Sequence, residues 1–109
     1  MATNPHADGC AFIEGKYLPI AEARIPILDT GFTRSDLTYD VVAVWKGKFF
    51  RLDDHLKRFE NSYTQLRMNP TISLAQMREI LFECVRRASI CNAYVEMILR
   101  FSLPAPPAA

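Results

Sequence analysis

The hydrophobic period of this sequence changes at Leu52, and that change limits the folds open to the chain. From Leu52 onward the apolar residues recur every three or four positions, as on one face of an α-helix. Before Leu52, short apolar runs are separated by turn residues, which is typical of strands. The chain has 109 residues, enough for one core. We therefore expect an α+β domain of two layers, with two helices on one face of a mainly antiparallel sheet.

Four strands are predicted before Leu52 and one after the helices. Residues 11–14 and 17–20 form a first hairpin that turns at Gly15-Lys16, and residues 39–45 and 48–50 form a second that turns at Lys46-Gly47. Residues 94–101 alternate between two faces and form the last strand. The segment between the hairpins, residues 21–38, is predicted to be a loop with functional potential.

Two helices are predicted between residues 52 and 89. The first has two aspartates in its first turn, where they favour the helix dipole. The second begins at Ser73, which forms a capping box with Gln76, and ends near Ser89. The apolar stripe of the first helix consists of Leu52, Leu56, Phe59, Tyr63 and Leu66.

The ends of the chain, its charge and its cysteines indicate which classes of protein it can belong to. We expect a flexible arm over residues 1–9, a folded domain over 10–101 and a Pro/Ala-rich tail over 102–109. The net charge of +1 argues against a nucleic-acid partner. The sequence has neither a membrane-length apolar run nor a signal-peptide order, so we expect a cytoplasmic protein. Three cysteines without metal-site spacing predict neither disulfides nor a metal site.

Arg58 is the first candidate site residue. It lies on the flank of the apolar stripe beside His55, so its side chain can leave the core edge and reach into a cleft. A planar guanidinium suits a phosphate. The alternative is a surface arginine whose stem covers apolar area, and the pattern alone favours that alternative. For His55, a capping or core-edge role is favoured over a catalytic one.

Two further candidates lie on strands. Tyr39 opens a strand directly after a polar loop, and it either lines a pocket or is an ordinary strand aromatic. Tyr94, Glu96 and Arg100 share a face of the last strand, where a half-buried Glu96 needs a partner. A binding site and a simple Glu96–Arg100 pair fit equally well. Because this face carries aromatic and acidic side chains, we expect it to meet another domain or subunit.

Two motifs together resemble a known family. The Asp29-x-Gly31-Phe32 sequence in the 27–40 segment and the His55-x-x-Arg58 sequence in the 49–59 segment resemble the N-terminal domain of class IV (fold type IV) pyridoxal-phosphate-dependent aminotransferases. The likeness extends from about residue 11 to residue 99 and is greatest to (R)-selective amine transaminases. It implies a pyridoxal 5′-phosphate cofactor, small-molecule amine and keto substrates, and a homodimer.

The resemblance also implies roles for individual residues. Arg58 matches the arginine that holds the cofactor phosphate, which reverses the preference for a surface role. Tyr39 matches a tyrosine near the cofactor and substrate pocket. Tyr94 and Glu96 match the aromatic-Val-Glu strand motif of amine transaminases, and we include them among the substrate-binding residues. Glu96 matches a position where branched-chain enzymes typically have an arginine, so a clamp for a substrate α-carboxylate is not expected there. Arg34 lies where amine transaminases often have a histidine, and we include it among the substrate-binding residues.

The resemblance leaves one requirement unmet. In the family, the lysine that forms a Schiff base with the cofactor comes from a larger C-terminal domain. None of the four lysines here matches it, so no catalytic residue is predicted. We expect a truncated chain that cannot transaminate alone. The alternative is a non-catalytic interaction or dimerisation module that pairs with intact homologues. The four lysines are Lys16, Lys46, Lys48 and Lys57.

Overall fold

A computed structural model describes residues 8–101 and has the expected α+β fold. Residues 1–7 of the predicted arm and the whole predicted tail, residues 102–109, lie outside the described residues. The helices are α1 (Thr30–Arg34), α2 (Leu52–Gln65) and α3 (Leu74–Ala88), and a 3₁₀ turn covers Ile20–Glu22. The strands are β1 (Cys10–Ile13), β2 (Lys16–Pro19), β3 (Leu37–Trp45), β4 (Lys48–Phe49) and β5 (Ala93–Arg100).

The strands form two antiparallel sheets instead of the single sheet that we expected. β1 and β2 pair only with each other, whereas β3 is the centre of a sheet with the order β4-β3-β5. The separate hairpin packs β1 against α3. Its Tyr17 ring lies under the guanidinium of Arg87, with 4.3 Å between the ring centroid and Cζ. The first hairpin therefore covers a helix and adds no strand to the larger sheet.

Both hairpin turns use two consecutive residues with positive φ. Glu14 and Gly15 have φ values of 52° and 85°, and Lys46 and Gly47 have φ values of 50° and 77°. Positive φ at both central positions gives a turn whose twist matches that of the flanking strands. The first turn is thus one residue earlier than predicted, and Lys16 belongs to β2.

The core lies between α2, α3 and the inner face of the three-stranded sheet. The apolar stripe of α2 supplies four of its members, as the periodicity predicts, and α3 is capped by Ser73 and Gln76 as expected. Leu66 is an exception at 55% exposure, because α2 ends at Gln65. The buried cluster consists of Val42, Leu52, Leu56, Phe59, Tyr63, Met77, Leu81 and Met97.

The segment predicted as a loop contains α1. The Asp29 carboxylate accepts a hydrogen bond from the Phe32 amide at 3.2 Å, and the Asp29 carbonyl accepts one from the Thr33 amide at 2.8 Å. The helix ends at Ser35, which has a left-handed backbone. Five residues are too few to show a helical period, so only the capping aspartate could have indicated this helix.

Adjacent valines on β3 provide a matched test of this packing. Val42 is fully buried, whereas Val41 is 37% exposed on the other face. We expect Val42→Ala to lower the free energy of unfolding by about 2 kcal/mol, because it removes methyl groups and leaves a cavity. Val41→Ala loses the same strand propensity and should cost less than about 1 kcal/mol. Urea denaturation of both variants measures the difference, and equal losses would contradict this arrangement.

Candidate functional site

One face of the three-stranded sheet is left uncovered by the two long helices, α2 and α3. β3 and β5 pair in register, with Tyr39 opposite Ile98, Val41 opposite Glu96 and Ala43 opposite Tyr94. The side chains on this side are exposed, Tyr94 at 81% and Tyr39 at 59%. The sheet thus brings three predicted site residues, Tyr39, Tyr94 and Glu96, onto one surface. We call this surface the open face; its exposed members are Tyr39, Val41, Trp45, Tyr94, Glu96 and Ile98.

The opposite side of β3 carries a buried carboxylate. Asp40 follows Tyr39, so its side chain points toward α2, and that side chain is 3% exposed. Two bonds join it to Arg58: Nε donates to Oδ2 at 2.7 Å, and Nη2 donates to Oδ1 at 2.9 Å. His55, one turn earlier on α2, lies with Nδ1 2.8 Å from Asp40 Oδ1. We call these three residues, Asp40, His55 and Arg58, the carboxylate cluster.

The cluster has a defined protonation pattern. Hydrogen bonds from Arg58 lower the pKa of Asp40 and outweigh its burial, while Asp40 raises the pKa of Arg58. The carboxylate is therefore ionised and accepts only. His55 Nδ1 must then carry the proton that it shares with Asp40. The 3.4 Å contact between Arg58 Nη2 and His55 Nδ1 consequently joins two donors and contributes no bond.

Arg58 does not extend freely into a cleft as predicted, because Asp40 holds it. Its side chain is nevertheless 67% exposed. Asp40 occupies only the edge formed by Nε and Nη2. Nη1 bonds no acceptor in the described part of the chain. The second edge of the guanidinium, formed by Nη1 and Nη2, is thus available to an oxyanion.

The carboxylate cluster and the open face meet at one edge of β3. β4 pairs only with Val44 and Trp45, so residues 37–42 have no strand neighbour on that edge among the described residues. Tyr39 and Asp40 are consecutive in this stretch, and their side chains point to opposite faces. A ligand at this edge would therefore be within reach of both surfaces.

Arg100 fixes the segment that contains Arg34. Its guanidinium pairs with Asp29 and, at 2.9 Å, with Glu14. The expected alternative, a Glu96–Arg100 pair, is therefore wrong. A Cβ added to Gly31 would lie 2.6 Å from the Cβ of Arg100, so this close approach requires glycine. Helix α1 is held against the end of β5, with Arg34 exposed at its last position.

Other features of the described residues carry no site. Two surface depressions, of about 600 and 270 Å³, are lined by none of the predicted site residues. Burial is the main cause that raises the pKa of Cys84 to about 12, which makes it a poor nucleophile. Across residues 8–101, no three His, Cys, Asp or Glu side chains are grouped to hold a metal ion. No helix in that range has both the length and the apolar character needed to cross a membrane.

Comparison with protein families shows which family this chain belongs to. The profile described as amino-transferase class IV matches residues 37–106, which is more than half of the chain. The chain belongs to the class IV aminotransferases. Its fold is that of the small N-terminal domain of these proteins.

Named relatives of this class IV chain include a putative branched-chain-amino-acid aminotransferase of Methanocaldococcus jannaschii. The two are 20% identical over 88 residues, which is 81% of this chain and 31% of the relative. A D-alanine aminotransferase of Staphylococcus haemolyticus is 24% identical over 81 residues, covering 74% of this chain and 29% of the relative. The chain thus spans about a third of the length of the curated relatives it matches.

Solved structures give the same fold assignment. The T.th. branched-chain amino acid aminotransferase, crystallised with pyridoxamine 5′-phosphate, matches with a TM-score of 0.79 at 24% identity, over 86% of this chain and 32% of that one. A branched-chain aminotransferase of Thermoproteus uzoniensis, crystallised with norvaline, matches with a TM-score of 0.77 at 19% identity, over 88% of this chain and 34% of that one.

The class IV family implies pyridoxal phosphate, and one part of this site fits it. The donors of Arg58 that Asp40 leaves free have the planar geometry that a phosphate accepts. Within residues 8–101, no lysine is comparably placed for the aldehyde end of the cofactor. Lys48, opposite Trp45, is the lysine whose register puts it on the side of the open face. Its partner Trp45 is six residues from Tyr39 along β3, so Lys48 lies about 20 Å from Tyr39 at the strand rise per residue.

Asp40 is the residue of the candidate site that the sequence analysis did not single out. It is the single charged residue in the otherwise apolar run from Tyr39 to Trp45. That observation held the signal, because a charged residue in a buried strand must be paired. The partner could not be identified, since the bonds join residues 15 and 18 positions apart. Trp45, which extends the open face, carried no signal beyond its strand pattern.

The lowered pKa of Asp40 predicts a pH dependence of stability. A carboxyl whose pKa falls on folding contributes stability above its ordinary pKa of 3.8 and loses it as the pH falls through the lower folded value. We expect the free energy of unfolding to decrease below pH 4, and to decrease less in Asp40→Asn. Asp54→Asn, at an exposed ion pair, is the control. Denaturation series at pH 2.5–6 test this, and equal acid slopes for both variants would contradict it.

Proposed function

We propose that this chain supplies the phosphate-binding side of an amino-transfer site. The complete protein would transfer an amino group between an amine or amino acid and a keto or carbonyl acceptor, with pyridoxal 5′-phosphate as cofactor. When bound, that cofactor supplies the electron sink that the exchange of amino groups requires. The observation that carries the proposal is the guanidinium of Arg58, fixed along one edge by Asp40 and open along the other.

The residues divide into two roles. Arg58 would bind the phosphate through charge-assisted hydrogen bonds. Tyr39, Tyr94 and Glu96 would line the substrate side from the open face, and Arg34 would approach it from the end of α1. The negative charge of Glu96 disfavours a substrate carboxylate beside it and favours a positively charged amine. This supports amines without a neighbouring carboxylate as the preferred donors.

We further propose that these 109 residues do not transaminate by themselves. They span about a third of the matched relatives, and their lysines do not meet the site. Lys16, Lys46 and Lys48 lie on strands or turns, and Lys57 is exposed on α2. A homodimer and a larger second domain, as the family has, would complete the site.

Phosphate recognition is tested with pyridoxamine 5′-phosphate, which has no aldehyde and therefore cannot react with lysines. Its affinity is measured by ³¹P NMR titration, and the affinity for pyridoxamine, which lacks the phosphate, is measured by ¹⁵N-detected titration of the chain. We expect the chain to bind pyridoxamine 5′-phosphate more strongly than pyridoxamine. Arg58→Ala should weaken the phosphate-dependent part more than tenfold, because charged hydrogen bonds contribute about 1.5–3 kcal/mol.

The matched control is Arg51→Ala. Arg51 is also an exposed arginine in an ion pair, with Asp54, at the start of the same helix. Its removal changes the net charge equally and should leave the affinity within about twofold. Equal losses from both substitutions would show a general charge effect and contradict the assigned role of Arg58.

The lysines are tested by incubation with equimolar pyridoxal 5′-phosphate, reduction with borohydride and peptide mass spectrometry. Three of the lysines lie outside α2, and Lys57, although it is next to Arg58 in sequence, is turned about 100° from it around the helix. Labelling of the four lysines should therefore be low and scattered. Inactivity is checked alongside by the absence of amino transfer from a simple chiral amine to pyruvate. Stoichiometric labelling of one lysine would contradict the proposal that this chain lacks the covalent attachment point.

A second candidate function is a non-catalytic interaction module, and the open face favours it. Exposed aromatic side chains there, Tyr39, Trp45 and Tyr94, form a surface suited to a protein partner. We expect co-expression with an intact class IV aminotransferase to give a complex that Tyr94→Lys abolishes. Leu66→Lys, an exposed apolar site on another surface at the end of α2, should leave it intact. Absence of a complex would exclude this function.

A further inference from the structure

We propose that Asp40 is a positioning residue that orients Arg58 for the cofactor phosphate. The inference rests on the proposed function, because it assumes that Arg58 binds the phosphate. It adds a role for a residue that has no contact with the ligand. It also specifies which edge of the guanidinium receives the phosphate.

Arg58 needs an anchor because packing does not hold it. Its side chain is 67% exposed, and a free arginine at this exposure samples many rotamers, which a ligand must restrict on binding. The two bonds to Asp40, at 2.7 and 2.9 Å, fix the guanidinium before any ligand arrives. The side-chain entropy of Arg58 is thus lost when the chain folds, and the ligand does not have to restrict it on binding.

Asp40 is itself well fixed. It lies on the central strand with its side chain 3% exposed, and both of its oxygens have assigned donors. Oδ2 accepts from Arg58 Nε, while Oδ1 accepts from Arg58 Nη2 and from His55 Nδ1. A carboxylate bound on both oxygens cannot rotate. Because a bidentate pair is coplanar, the plane and direction of the remaining Nη1–Nη2 edge are set by the strand.

The charge of Asp40 and its anchoring of Arg58 have opposite effects on the affinity for phosphate. A carboxylate beside a phosphate site repels the phosphate, so removing its charge alone should strengthen binding. Removing the anchor should weaken binding. Asp40→Asn should therefore weaken phosphate binding if Asp40 positions Arg58, and strengthen it if Asp40 acts only as a neighbouring charge. A residue with only a structural role would change stability and leave affinity unaffected.

The experiment compares the full chain with Asp40→Asn and Asp54→Asn. Both substitutions remove one negative charge, and Asp54 pairs with Arg51 at the start of α2, the helix that carries Arg58. Thermal unfolding first establishes that each variant is folded at the temperature used. We expect the affinity for pyridoxamine 5′-phosphate, by ³¹P NMR, to fall about five- to tenfold in Asp40→Asn and to change less than twofold in Asp54→Asn.

A second measurement needs no ligand. The ¹⁵N NMR signal of Arg58 Nε–H, identified by its loss in Arg58→Lys, should exchange slowly with water in the wild type and in Asp54→Asn. It should exchange rapidly in Asp40→Asn. This readout reports the anchoring of the guanidinium itself, which overall stability does not.

The outcomes separate the two proposals. If the wild-type chain shows no phosphate-dependent binding, or if Arg58→Ala binds as well as the wild type, the proposed function fails and the positioning role fails with it. If Arg58→Ala loses binding while Asp40→Asn binds equally or more tightly, the proposed function stands and the positioning role of Asp40 is overturned. The same holds if Nε–H exchange is unchanged in Asp40→Asn.

Discussion

A carboxylate inside a small domain must be paired, and the pairing of Asp40 determines much of this structure. Its two oxygens join the central strand to helix α2 through His55 and Arg58. The helix is therefore held at a fixed rotation over the sheet, with its apolar stripe inward and its guanidinium at the free edge of β3. Core packing and the presentation of a charged group depend on the same contact.

The sequence predicted the elements whose signals are local. The period of residues 52–63 identified helix α2 and its buried face, and Ser73 with Gln76 identified the start of α3. The second hairpin followed from Lys46-Gly47. The division into two sheets could not be predicted, because strand partners are chosen by tertiary packing, here of β1 against α3.

The candidate site was predictable in composition but only partly in geometry. The alternation of residues 94–100 indicated that Tyr94 and Glu96 share a face, and the sheet adds Tyr39 to it. The ion pairs were beyond reach: Arg100 joins Asp29 and Glu14, and Arg58 joins Asp40. Such pairs connect residues far apart in sequence, and no local pattern selects one carboxylate among several.

The attachment of α1 has a consequence for the order of folding. A helix of five residues has no stability of its own, and its carboxylate cap is joined to Arg100, 71 positions along the chain. Closing so long a loop is slow compared with forming a hairpin or a helix. The segment carrying Arg34 therefore gains this ion pair only once Arg100 is in place on β5. During synthesis, α1 consequently cannot be fixed in this way until residue 100 has been added to the chain.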